Sequence, residues 1–170
     1  MDEKQLREIV QSVLTQVMGK PGVGNAPASD PPASPHTATS SVNAVPRKIV
    51  ALGADHGGFE LKESLKATLS ELGYDVNDVG THSKAAVDYP DYAHAVAKLV
   101  ATGKAWRGIM IDGAGIGSCI VANKVPGIRA GMAYDLSSAI NSREHNDTNV
   151  ITLGAGMVGI NLVKQIVKTW

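Results

Sequence analysis

Three short blocks carry residue types able to do chemistry: Gly-Ala-Asp-His-Gly-Gly (53–58), Asp-Gly-Ala-Gly-Ile-Gly (112–117) and Ser-Arg-Glu-His-Asn-Asp (142–147). Asp55 and His56 set a carboxylate beside an imidazole, a pair suited to moving protons or binding hydroxyls. An Asp at such a place also serves as a helix cap. Asp112 opens the second block. Its glycines, Gly113, Gly115 and Gly117, lack Cβ atoms, so backbone N–H groups can approach an anion closely. The same residues would also make a tight turn that binds nothing. The loop is not a dinucleotide fingerprint, because the third glycine position falls on Ile120, and no Gly-Lys-Ser/Thr follows to make a phosphate loop. In the third block, His145 and Asn146 stand between charged neighbours, as a second proton-transfer group or as a solvated helix end. Cys119 reads as a small packing residue. The domain histidines (His56, His82, His94, His145) lack metal-ligand spacing, so neither a metal nor a cofactor is expected.

The elements that must position these blocks alternate along residues 47–170. Strands are expected at Lys48–Leu52, Tyr74–Val79, Gly108–Ile111, Gly127–Ala133 and Asn149–Leu153. Helices are expected at Phe59–Leu72, Tyr92–Thr102, Ile116–Lys124, Leu136–Arg143 and Val158–Lys168. Short apolar runs alternating with amphipathic helices predict an α/β fold, a Rossmann-like three-layer sandwich around a five-stranded parallel sheet. Ligands of open α/β sheets bind outside the carboxyl ends of the strands. The three blocks are therefore expected to converge on one pocket there, which makes an enzyme the leading reading.

Two further segments precede the domain. Residues 1–18 carry an apolar stripe, Leu6, Ile9, Val10, Val13, Leu14, Val17 and Met18, at helical spacing. Gly19 and Pro21 stop the helix. Its interspersed charges exclude a secretory signal, and a helix this short is marginal alone in water. Residues 19–46 hold Pro21, Pro27, Pro31, Pro32, Pro35 and Pro46 among Gly, Ala, Ser and Thr, the composition of a linker. The 170 residues carry a formal net charge of zero with no long basic run, which argues against nucleic-acid binding. One cysteine fits a reducing interior, and no apolar stretch is long enough to span a membrane.

A short apolar helix on a Pro/Ala/Ser tether resembles the encapsulation peptides of bacterial microcompartment cargo enzymes. That resemblance implies shell or cargo proteins as partners through residues 1–18, and a cytoplasmic location inside a microcompartment.

Residues 48–170 resemble the type B ribose-5-phosphate isomerase family, which includes the galactose-6-phosphate isomerase subunits. The carriers are residues 53–62, Val-Asp-Tyr-Pro-Asp-Tyr-Ala (87–93), residues 113–117, Ala-Asn-Lys-Val-Pro-Gly-Ile-Arg-Ala (122–130) and residues 142–150. The resemblance implies a homodimer or tetramer with sites built between subunits, no metal, and aldose–ketose isomerisation of a small sugar phosphate through an enediolate. It assigns ring opening to His145, sugar contacts to Asp55 and His56, and substrate binding to Asn146. The backbone of Gly113, Ala114, Gly115, Ile116 and Gly117 would cradle the enediolate oxygen. Many members carry a cysteine base where this chain has Asp112, so Asp112 is expected as the base, with Asp55 its rival. The family's phosphate-binding arginine after the last strand is Gly156 here. Arg143 and Lys124 are the candidate replacements. An unphosphorylated sugar, or a non-catalytic subunit serving a paralogue, are the alternatives.

Overall fold

The computed structural model describes residues 47–170, together with Lys4, Gln5 and Glu8, which are helical and exposed. The helix expected over 1–18 and the linker expected over 19–46 otherwise lie outside the described residues.

Five strands, β1 (Ile49–Ala54), β2 (Asp75–Gly80), β3 (Arg107–Asp112), β4 (Ala130–Met132) and β5 (Val150–Gly154), form one parallel sheet in the order β2-β1-β3-β5-β4. Between them run α1 (Phe59–Glu71), α2 (Tyr89–Ala101), α3 (Ile116–Ala122), α4 (Leu136–Glu144) and α5 (Ile160–Thr169). The Rossmann-like expectation is met. Alternate strand residues face opposite ways. Val50, Leu52, Ile109, Ile111, Ile151 and Leu153 pack with α1, α4 and α5, whereas Ala51, Met110 and Val150 pack with α2 and α3. Small residues bring α2 close: a Cβ on Gly108 would sit 2.6 Å from Val96 Cγ1.

Most boundaries shift by one or two residues, and two starts shift by three for local reasons. α2 begins at Tyr89 because Pro90 suits the first helical turn. β4 shrinks to three residues because side-chain amides replace ladder bonds at its start. Asn123 Oδ1 accepts from Ala130 N–H and its Nδ2 donates to Ala130 O, both at 2.9 Å. Asn149 Oδ1 accepts from Arg129 N–H, also at 2.9 Å.

The strand order fixes where chemistry can happen. From β1 the chain moves one way to β2, then crosses to β3 on the other side of β1. Loops leaving β1 and β3 therefore diverge and leave a crevice between them, at the switch point.

Candidate active site

Asp55 directly follows β1 at that crevice and is buried. Its Oδ1 accepts from Gly58 N–H at 2.9 Å, so it does cap the turn into α1. Oδ2 carries no hydrogen bond among the described residues. His56 is exposed, with Nδ1 3.2 Å from Val87 O and 3.3 Å from Val87 N. The neighbouring loop thus steadies the ring and leaves Nε2 for a ligand. The two loops touch: a Cβ on Gly57 would lie 3.3 Å from Asp55 Oδ1 and 3.8 Å from Gly113 N.

Asp112 ends β3 and is also buried, but its carboxylate is fully engaged. Oδ1 accepts from Ala114 N–H at 2.8 Å and from Gly115 N–H; Oδ2 accepts from Ser118 N–H at 3.1 Å and from the Ser118 hydroxyl. A carboxylate offers about four lone-pair sites, and all four are taken. A base needs one directed at the substrate's C–H bond. This geometry opposes the expectation of Asp112 as base and makes it the organiser of the glycine loop. It also narrows the cradle, because Ala114 and Gly115 turn their N–H groups inward. Among the described residues the N–H groups of Gly113, Ile116 and Gly117 stay free of protein acceptors. Gly115 adopts φ +81°, which only glycine takes readily, and a Cβ there would meet the backbone of Leu153 and Gly154.

His145 and Asn146 do not join this crevice. They lie between α4 and β5, and a helix-to-strand connection in a parallel sheet lies at the amino edge. Asp55 and Asp112 lie at the carboxyl edge. The five residues of β5 separate the two edges by about 16 Å. The expected convergence of all three blocks in one pocket is therefore corrected: one copy of the chain brings together two of them. Lys124 follows α3 and shares the amino edge with His145.

Arg143, expected as a possible phosphate contact, is engaged within its own loop. Its Nη1 donates to Thr148 O and its Nη2 lies 3.0 Å from Asp147 Oδ1. Arg129, which sequence reading passed over, also lies at the amino edge. It lines a polar cleft of about 750 Å³ with Asn123, Ser138, Asn141 and Asn146.

Other structural groups were also missed. Lys62 is fully buried on α1 and donates to both oxygens of Asp78, at 2.8 and 2.6 Å. Burial opposes ionisation of Asp78, but hydrogen bonds from Lys62 and Lys66 outweigh it and hold the carboxyl below its ordinary value. Tyr134 donates from its hydroxyl to Ala114 O at 3.2 Å and braces the glycine loop from the segment after β4. Burial pushes the Cys119 thiol up, which suits packing rather than nucleophilic attack. No group of three or more His, Cys, Asp or Glu is arranged to hold a metal among the described residues.

The family profile described as Ribose/Galactose Isomerase matches residues 50–170. Ribose-5-phosphate isomerase B of Escherichia coli is 49% identical over 72% of this chain and 83% of its own length. D-erythrulose-4-phosphate isomerase of Pectobacterium atrosepticum is 41% identical over 71% and 80%. Among solved structures, ribose-5-phosphate isomerase B of Clostridium thermocellum superposes with a TM-score of 0.71 at 48% identity, covering 72% of this chain and 82% of that one. The Mycoplasma genitalium enzyme, solved with ribulose 5-phosphate bound, gives 0.67 at 32%, covering 71% and 81%. With most of the folded domain matched at this level, the chain belongs to the ribose/galactose isomerase family.

Proposed function

We propose that the chain interconverts ribose 5-phosphate and ribulose 5-phosphate in a site completed by a second copy of itself. One observation carries the reading: a buried carboxylate with a free oxygen, Asp55, lies beside free backbone N–H groups at the switch point, while the family's ring-opening histidine lies at the opposite edge. His145 of the second copy opens the furanose ring. Asp55 removes the C2 proton, and the C–H electrons form the C1–C2 double bond of the enediolate. The amides of Gly113, Ile116 and Gly117 hold its O1 charge. A proton passes from O2 to O1, and return of the carbon-bound proton to C1, with the C1–C2 double bond giving way to the C2–O2 carbonyl, gives the ketose. His56 and Asn146 bind sugar hydroxyls.

Phosphate needs cations, and those nearest the carboxyl edge are committed. Lys62 and Lys66 pair with Asp78, and Lys84 with Glu60. Lys124 of the second copy is the ligand we assign. Gly156, where family members carry arginine, favours a second reading in which the substrate is unphosphorylated. Comparing kcat/KM for ribose and ribose 5-phosphate separates the two. The primary test is incubation with ribose 5-phosphate in D2O, followed by NMR. Ketose formation with deuterium at carbon supports the reading; inert ribose 5-phosphate sinks it.

The stripe of residues 1–18 on its linker supports one further element, docking to a microcompartment shell. Deleting residues 1–20 should leave isomerisation intact and abolish co-purification with shell proteins. Unchanged association would remove this element alone.

A further inference from the structure

The segment between α4 and β5 is held more firmly than an exposed turn requires. Asp147 adopts φ 44°, left-handed backbone that a non-glycine residue keeps only where its surroundings enforce it. Two arginines enforce it. Arg129 Nε donates to the Asn146 carbonyl at 2.7 Å. Arg143 Nη1 donates to the Thr148 carbonyl, and its Nη2 pairs with Asp147 itself. The guanidiniums thus grip the carbonyls on both sides of the strained residue. Asn149 Nδ2 adds a bond to Gly127 O at 2.9 Å, and Trp170 Nε1 one to Thr148 Oγ1 at 2.8 Å. Yet the side chains this scaffold presents, His145 and Asn146, are exposed. Enforced strain beneath an exposed His-Asn pair is the pattern of a functional site rather than of a connecting turn.

We infer that Arg129 and Arg143 are positioning residues: they form a clamp that aims His145 for sugar-ring opening. The inference rests on the role proposed for His145 above. Both arginines act through the backbone and neither needs to touch the sugar ring. Ring opening takes the proton from O1, forms the C1–O1 carbonyl, breaks the bond from C1 to the ring oxygen O4, and protonates O4. Ribose 5-phosphate requires this step. Ribulose 5-phosphate cannot close a five-membered ring, because its O5 carries the phosphate. Its C1 proton can therefore exchange through the enediolate without ring opening.

That difference gives a readout a general structural role would not produce. Full-length wild type, Arg129→Gln, Arg143→Gln and His145→Asn are compared in D2O by NMR. One measurement is kcat for ribose 5-phosphate conversion; the other is C1 proton exchange of ribulose 5-phosphate. Misaiming a catalytic group by about 1 Å costs up to roughly a hundredfold, so Arg129→Gln should lose roughly tenfold to a hundredfold in kcat while C1 exchange stays within about twofold. The His145 imidazole resonances should shift with it. Arg129 is exposed, so the variant should keep the wild-type melting temperature. Unchanged kcat in both arginine variants would overturn the clamp, and so would equal loss of conversion and exchange. In either case a selective defect in His145→Asn leaves the proposed function standing. If His145→Asn loses both measures equally, the role of His145 falls and the clamp falls with it.

Discussion

The two edges of one sheet carry unlike chemistry. The carboxyl edge holds buried carboxylates, a glycine loop with outward N–H groups, and lysines already neutralised by Asp78, Glu63 and Glu60. The amino edge holds an exposed histidine and asparagine, a strained loop and cations without carboxylate partners among the described residues, Lys124 and Arg129. Each edge lacks what the other offers. A proton shuttle needs contact within hydrogen-bonding reach, and the length of β5 forbids that inside one copy. The difference teaches that the catalytic unit we propose is a pair of chains, with one edge drawn from each.

Mixing inactive variants puts that pairing at risk most directly. Asp55→Asn damages the carboxyl edge and His145→Asn the amino edge. In a mixed dimer, one site carries both lesions and the other carries neither. After subunit exchange, activity should return to about a quarter of the wild-type level for a two-fold dimer. Two variants that stay inactive when mixed, with exchange shown by mass spectrometry, would place both residues in one copy's site.

Within the carboxyl edge, Asp55 and Asp112 can be told apart by what each loses. Removal of a general base costs roughly 10²–10⁴ in rate, so Asp55→Asn should lose that much in kcat with little change in melting temperature. Asp112→Asn turns an amide NH2 toward donors that need an acceptor. It should cost about 1–3 kcal/mol in stability, with activity falling only as the loop loosens. The reverse pattern, a stable but inactive Asp112→Asn, would restore Asp112 as the base.

What the sequence made legible was whatever depends on local pattern. Alternation of apolar strands with amphipathic helices predicted all ten elements of the domain, and the glycine loop pointed to the end of β3. Failure came where function depends on direction through space. His145 stands between a helix and the parallel strand that follows it, and such a connection lies at the amino edge. That signal was present in the element order, but the chemistry of the block drew attention to the other edge. The engagement of Asp112 could not be read at all, because it requires Ser118 to swing back onto a carboxylate six residues earlier. Arg129 was hidden for a similar reason, since its partner, the Asn146 carbonyl, lies 17 residues away.

The lysine–carboxylate network sharpens the contrast through pH. Asp78 has a folded-state value below its ordinary 3.8. Its contribution to stability is therefore present above about pH 3.8 and lost as pH falls through the folded value. Acid unfolding of the wild type should steepen in that window, and Asp78→Asn should flatten it while lowering stability at neutral pH. An unchanged acid limb would mean that Lys62 and Lys66 do not stabilise the carboxylate as the geometry indicates.

The smallest effect is expected on α3, the helix that runs from the capped carboxyl edge toward the amino edge. Cys119 sits midway along it, with Sγ 3.4 Å from Ala130 O and Asn123 Nδ2 3.6 Å from the sulfur. Burial is the largest influence on its thiol and raises it, while hydrogen bonds with Thr152 and Asn123 pull the other way without cancelling the rise. A thiol in this state presents little thiolate at neutral pH. Alkylation of the folded protein should be slower than of the unfolded chain, and Cys119→Ala should leave kcat unchanged while costing less than about 1.5 kcal/mol in stability. Loss of turnover in Cys119→Ala would return a thiol to the chemistry and break the division between the two edges, because Cys119 belongs to neither.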